Sequence, residues 1–173
     1  MDNVDIAALM IRVVLGGTIV AHGYNHLFRG GRLAGTSGWF ASIGMRHSRL
    51  NALLASVTEL LAGAALVVGL LTTLAAAAIA ATLIVALITN HIRNGFFIFR
   101  PGEGYEYVLM IIAIALALAA LGPGRWSLDQ LVGTTYVGWG ALGVATAVAV
   151  ASSGAVLLAS WRPEPSPSQT SDV

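Results

Sequence analysis

The sequence predicts an all-α integral membrane helical bundle, and three observations carry that expectation. Only 10% of the 173 residues are charged and 57% are hydrophobic, whereas a water-soluble domain carries about 25% charged residues. The mean hydropathy is +0.80. Apolar stretches near the roughly 20 residues needed to cross hydrocarbon recur along the chain, separated by turn-forming and charged residues. So few charges cannot clothe a water-facing surface, and lipid is the solvent that tolerates such a composition.

The first apolar stretch runs from Ile6 to Phe28, interrupted by Arg12 and His22. The second, Leu50 to Leu71, contains Glu59. The third, Leu74 to His91, is apolar up to Asn90, and its join to the second is expected at Thr72 and Thr73, a tight antiparallel hairpin. The fourth, Tyr105 to Leu121, stops at Gly122-Pro123-Gly124. The fifth, Val137 to Trp161, is rich in Gly, Ala and Ser and has Trp139 and Trp161 near its ends as depth markers. Between the first two spans, Trp39, Phe40 and Ile43 share a helical face, which predicts a helix lying in the membrane interface. Gly16-Gly17 and Gly63 read as points of close helix contact. Prolines and serines make residues 162–173 a disordered tail. The N-terminus has neither the positive charge nor the small-residue cleavage site of a secretory signal, so the first span is expected to stay in the mature protein.

With five spans, Arg29, Arg32, Arg46, Arg49, Arg93, Arg100 and Arg162 fall on one side and Arg125 alone on the other. The positive-inside rule then places the C-terminus in the cytoplasm and the N-terminus outside, in a bacterial plasma membrane. The chain has no cysteine, which excludes thiolate metal centres and disulfide chemistry of its own. Its net charge of +1 gives no nucleic-acid footprint. Phosphate-binding glycine loops, dinucleotide fingerprints and nucleophile elbows are missing as well.

Polar groups inside hydrocarbon are costly and mark function or structure. At about 1.5 Å per residue, His22 lies roughly 9 Å and Glu59 roughly 13 Å from the basic ends of their spans. His26 is one turn from His22, and Asn90, His91, Tyr105 and Glu106 gather near the same end. These seven residues are the candidate polar pocket. Arg12 is expected to form a structural ion pair with Glu59, with Asp5 and Asp129 as alternative partners. The histidine pair also has the spacing of a metal site, with His91 and Glu106 as completing ligands, and His22 with His91 has the make-up of an axial haem pair. A structural role in fixing helix register is the competing reading for Glu59. No metal is assigned.

Several segments, taken in order, resemble the DoxX family of small bacterial membrane proteins. They are Ile11-Arg12-Val13-Val14-Leu15-Gly16 and Ala21-His22-Gly23-Tyr24-Asn25-His26-Leu27-Phe28 in the first span, and Glu59-Leu60-Leu61-Ala62-Gly63 with Gly69-Leu70-Leu71-Thr72 in the second. His91 with Asn94-Gly95-Phe96-Phe97, Gly104-Tyr105-Glu106-Tyr107 and Gly122-Pro123-Gly124-Arg125-Trp126-Ser127-Leu128-Asp129 follow. The resemblance covers about residues 5 to 132 and departs from the family in two places. His26 stands where the family often has lysine, and the fifth span and tail extend the usual four-helix unit. It implies a four-helix membrane domain over 1–133 that folds without the rest, an additional transmembrane helix over 134–161 and a cytoplasmic tail over 162–173. The family is similar to membrane subunits of thiosulfate:quinone oxidoreductases, linked to thiol and oxidant defence.

The expected function is therefore a membrane subunit of an oxidoreductase system, with a quinone as candidate ligand and a protein partner besides the surrounding lipids. The alternative is a non-enzymatic structural or assembly subunit of a membrane complex. A transporter is disfavoured because broken-helix inverted repeats are not evident. Whether the chain is itself catalytic is not decided by the sequence.

Overall fold

The computed structural model describes residues 3–163. Seven α-helices form: α1 Asn3–Phe28, α2 Arg32–Ser42, α3 Ser48–Val68, α4 Thr72–Ala86, α5 Glu106–Leu121, α6 Leu128–Val132 and α7 Gly138–Ser160. Beyond Ala86 the path of α4 continues through a π-helical turn, Leu87–His91, and a 3-10 turn, Ile92–Asn94. No strand forms among the described residues, although Met45 and Trp161 make an isolated antiparallel bridge. The expected tail lies outside the described residues from 164 onward.

Four helical stretches are long and apolar enough to cross a membrane: Asn3–Phe28, Ser48–Val68, Thr72–Asn94 and Gly138–Ser160. The expected fourth span is helical too, but at 16 residues it is shorter than the others. The long helices and α5 run alternately up and down, so seven of the nine arginines collect at one end of the bundle. This is the basic end, with Arg125 at the other.

The turn between α3 and α4 is Gly69–Leu71, three residues earlier than the expected threonines. Gly69 closes α3 in the left-handed region (φ +69°), and Leu70 N–H donates back to Ala65 O at 2.8 Å. That is the usual way a glycine ends a helix. Thr72 already belongs to α4 because Asp129, far along the chain, accepts hydrogen bonds from Leu71 N–H (2.7 Å) and Thr72 N–H (2.8 Å) and caps the helix from outside. Leu71 itself has φ +48°, a conformation that a non-glycine residue holds only when surrounding contacts fix it.

The tightest seam joins α1 to α3. A Cβ on Gly16 would lie 2.5 Å from Gly63 O, and one on Gly63 would lie 2.7 Å from Gly16 O. The two backbones therefore touch, as the sequence suggested for these two glycines. Gly17 has nothing within 4 Å and takes no part. Leu15, Ile19, Leu66, Ile79, Ile111 and Leu118 fill the core around this seam.

α7 does not stand apart. Ala145 belongs to that same cluster and Ala149 to the smaller one with Ala80, Val108 and Ile112. Beyond its last turn, Arg46 N–H donates to Ser160 O (2.7 Å), Arg162 N–H to Gly44 O (2.8 Å) and the Trp161 indole to Ile43 O (3.0 Å). The 1–133 unit expected to fold alone thus shares its core with α7. Truncation after Gly133 should lower the melting temperature in detergent and expose the faces of α4 and α5 that α7 covers, and unchanged melting would show an autonomous core. Gly16→Val should cost about 2 kcal/mol through overpacking of the α1–α3 seam, while Gly17→Ala should leave the melting temperature unmoved.

Candidate functional site

Along α1, the residues Ala8, Arg12, Leu15, Gly16, Ile19 and Gly23 make one buried stripe, and a polar group sits at each end of the seam it forms with α3. At the basic end, His26 Nδ1 lies 3.0 Å from Glu59 Oε2. The oxygen is off the line of the ring N–H, so the contact is one of charge and proximity rather than an aligned hydrogen bond. Glu59 is buried at 7% exposure. Thr36 Oγ donates to His26 O at 2.8 Å and ties α2 to the end of α1. The Trp39 ring stands 6.2 Å from the His26 ring.

At the opposite end, Arg12 has 0% exposure. One guanidinium nitrogen donates to Trp126 O at 2.5 Å, while Nε and Nη1 have no protein partner. Asp129 supplies the opposing charge from beyond direct ion-pair distance. The guanidinium lies against Gly69, where any Cβ would strike Nη1. The expected Arg12–Glu59 ion pair is therefore corrected. Arg12 points toward the loop after α5, at the other end of the seam from Glu59, and the alternative partner Asp129 is the acid it faces. Asp5, the other alternative, accepts from Arg125 N–H at 2.9 Å.

The His26–Glu59 pair opens onto a cavity of about 430 Å³. α3 supplies Leu54, Ala55 and Thr58 to one wall. α7 supplies Val148, Ser152 and Val156 to the other, α4 lays the floor from Leu74 to Thr89, and Trp39, Phe40 and Ile43 of the α2 segment cover the basic end. α3 and α7 both pack on α4 but scarcely on each other, so the cavity is a groove between them. Several of its polar groups are already used. Thr82 and Thr89 hydroxyls donate to Ala78 O and Val85 O in their own helix, Asn51 donates to Arg46 O and Ser153 to Val150 O. His26, Glu59, Thr58, Ser152 and the Trp39 indole are left to meet a ligand, and of these His26 and Glu59 are ionisable.

The candidate pocket of seven residues thus divides. His26 and Glu59 line the cavity. His22 sits on the exposed face of α1, its ring 6.4 Å from that of His26. Asn90, His91, Tyr105 and Glu106 build the loop between α4 and α5 instead. His91 Nδ1 donates to Glu103 O at 2.9 Å, and Asn90 Nδ2 lies 3.3 Å from its Nε2. Tyr105 stands edge-on to Phe96, and Glu106 accepts from Ile98 N–H at 3.0 Å. These engagements keep His91 and Glu106 from joining His22 and His26, and no cluster of three His, Asp or Glu at metal-binding spacing occurs among the described residues. Sequence reasoning missed the wall from α7. The Ser152-Ser153 pair within an otherwise apolar helix was the available signal.

A scan against protein families matches the DoxX family model over residues 7–92. The chain belongs to the DoxX family. It is a multi-pass membrane protein in contact with lipid. No curated protein matches the chain, and neither does any solved structure. The DoxX match spans α1 to α4 and ends within the turns that follow Ala86, so it includes His26, Glu59, the groove floor and the α2 cover. The second wall, on α7, comes from outside the DoxX match.

Asp129→Asn keeps one acceptor where the carboxylate uses two and removes the charge facing Arg12. It should cost about 2–3 kcal/mol in unfolding measurements. Asp5→Asn, whose carboxylate meets one exposed N–H, should cost under about 1 kcal/mol.

Proposed function

We infer that this DoxX protein is a membrane subunit of an oxidoreductase system, holding a quinone in the groove between α3 and α7. The observation that carries the reading is a buried carboxylate beside a partly exposed imidazole at one end of a largely apolar groove. A quinone has that same division, with a polar ring that accepts hydrogen bonds and protons and a tail that needs lipid-like surroundings. The ring would lie against His26 and Glu59, with Thr58 beside it, and the tail along the α4 floor toward Leu74. His26 is the donor to a ring oxygen, and Glu59 sets its orientation and charge. The chain has no cysteine, so the electrons would come from a partner protein.

The other reading, an assembly subunit without a ligand, draws on the basic end, where the arginines make no ion pair among the described residues. The orientation follows from the same arginines: N-terminus outside and C-terminus cytoplasmic.

Gentle solubilisation followed by lipid extraction and mass spectrometry separates the two. Quinone at near one per chain is expected. Glu59→Gln should weaken its retention about tenfold, by removing the negative charge beside His26, and Val148→Trp should displace it by filling the groove. His22→Ala should change nothing. Stoichiometric partner chains without quinone would overturn the reading in favour of the assembly subunit.

A further inference from the structure

α5 has 16 residues, a length of about 24 Å. The other spanning helices have 21 to 26, or roughly 32–39 Å, against a hydrocarbon core of about 30 Å. α5 is thus too short to cross alone, and some neighbouring segment must meet lipid at the level it leaves open. At the basic end that segment is residues 95–105, the connection from α4.

This connection is not an ordinary water-facing loop. Its apolar residues are turned outward, with Phe96 and Phe97 each 45% exposed, Ile98 39% and Phe99 79%. Phe97 and Phe99 stack at 5.1 Å. The backbone beneath them is bonded within the loop: Gly104 N–H donates to Phe97 O (3.2 Å), Tyr105 N–H to Gly95 O (3.0 Å), Glu106 N–H to Phe96 O (2.9 Å) and Arg100 N–H to Phe97 O (3.1 Å). Ile98 N–H is taken by the Glu106 carboxylate. Asn94 Nδ2 donates to Gly102 O at 2.6 Å and pins the far side. Non-helical backbone can approach membrane depth only when its polar groups are satisfied; these bonds satisfy part of the loop, while the Phe97 and Phe99 N–H groups take no bond in the protein, so the backbone lies at headgroup level and the side chains reach below it. Exposed Arg93 and Arg100 flank the apolar run, where their guanidinium groups can reach phosphate.

We propose that residues 95–105 form a membrane-inserted hairpin that completes the span of α5, with the side chains of Phe96 to Phe99 below the headgroups of one leaflet and Arg93 and Arg100 bound to anionic phospholipid. Lipid is the occupant because the shortfall of α5 places the run at the hydrocarbon edge and because the flanking charges match phosphate. Asn90, His91, Tyr105 and Glu106 are the residues that hold the hairpin in shape.

The chain lacks cysteine, so single spin labels can be placed without background. Phe99→Cys and Ile98→Cys put a label on the apolar side, and Glu103→Cys, also exposed, puts one on the polar side. The protein is reconstituted in vesicles of phosphatidylcholine and phosphatidylglycerol in equal parts, and in phosphatidylcholine alone. Labels at 98 and 99 should collide freely with oxygen and be shielded from a water-soluble nickel chelate, with the opposite order at 103. Arg93→Gln with Arg100→Gln should reduce the depth at 99 in the mixed vesicles and leave it unchanged in phosphatidylcholine. Labels at 98 and 99 as open to nickel as 103 would overturn the proposal by placing the loop in water. Shielding from both reagents would overturn it in favour of a protein surface covering the run.

Discussion

A guanidinium with no exposed surface, set in a bundle whose outside is lipid, constrains much of this fold. Arg12 cannot lose its proton, and an unpaired charge in hydrocarbon is among the most expensive features a membrane protein can carry. Its position is met by bringing three separate stretches to one place. Trp126 O accepts from it, Gly69 makes room for it, and Asp129 offers the opposing charge. Asp129 in turn takes the first N–H groups of α4 and so sets where that helix starts. The end of α3, the start of α4 and the loop after α5 are therefore positioned by one polar knot. The glycine contacts of α1 on α3 run from that knot toward the basic end, where the same seam delivers His26 to Glu59.

The knot and the His26–Glu59 pair solve the same problem in different ways. Arg12 is enclosed, with Nε and Nη1 buried and without a protein partner. Glu59 is enclosed on the α1 side and open on the other, toward the groove. A carboxylate needed only for register would be better served by the enclosed arrangement, since any gap beside a buried charge raises its desolvation cost without return. Glu59 lines the groove on one side because α7 stands away from α3.

How much of this was legible in the sequence follows from what lipid does to pattern. Span positions were readable because length and apolarity suffice, and Gly16, Gly63 and the Asp129 alternative for Arg12 were readable from residue type and depth. Facing was not. In water, a helix shows its inner face by alternation with polar residues, but a spanning helix is apolar toward both lipid and protein. α4 and α7 give no sign of which side is packed. Hence depth alone paired His22 with Glu59, whereas His26 lies nearer the middle of the buried stripe of α1 and His22 at its margin. Depth alone also drew Asn90, His91, Tyr105 and Glu106 into one pocket with residues they do not face. Their engagement with the backbone of 95–105 depends on a loop path that no periodicity encodes.

The groove itself is a product of small side chains. Ala141, Ala145 and Ala149 recur every fourth residue on α7 and are fully buried, as are Ala76 and Ala80 on α4. Such stripes let two backbones approach closely, and close approach is the main source of helix association in lipid. α3 meets α4 through its own hairpin, so both neighbours are drawn onto α4 and neither onto the other. The floor of the space between them carries two threonines among alanine, leucine and valine, and on composition these two would look polar. Yet Thr82 and Thr89 return their hydroxyl protons to carbonyls one turn back, leaving chiefly methyl surface toward the groove. A floor of that kind cannot orient a polar ligand along its length. Orientation is left to the basic end, where His26 and Glu59 are the ionisable groups of the lining, and it is this inequality along the groove, rather than the number of polar residues around it, that gives the site a head and a tail.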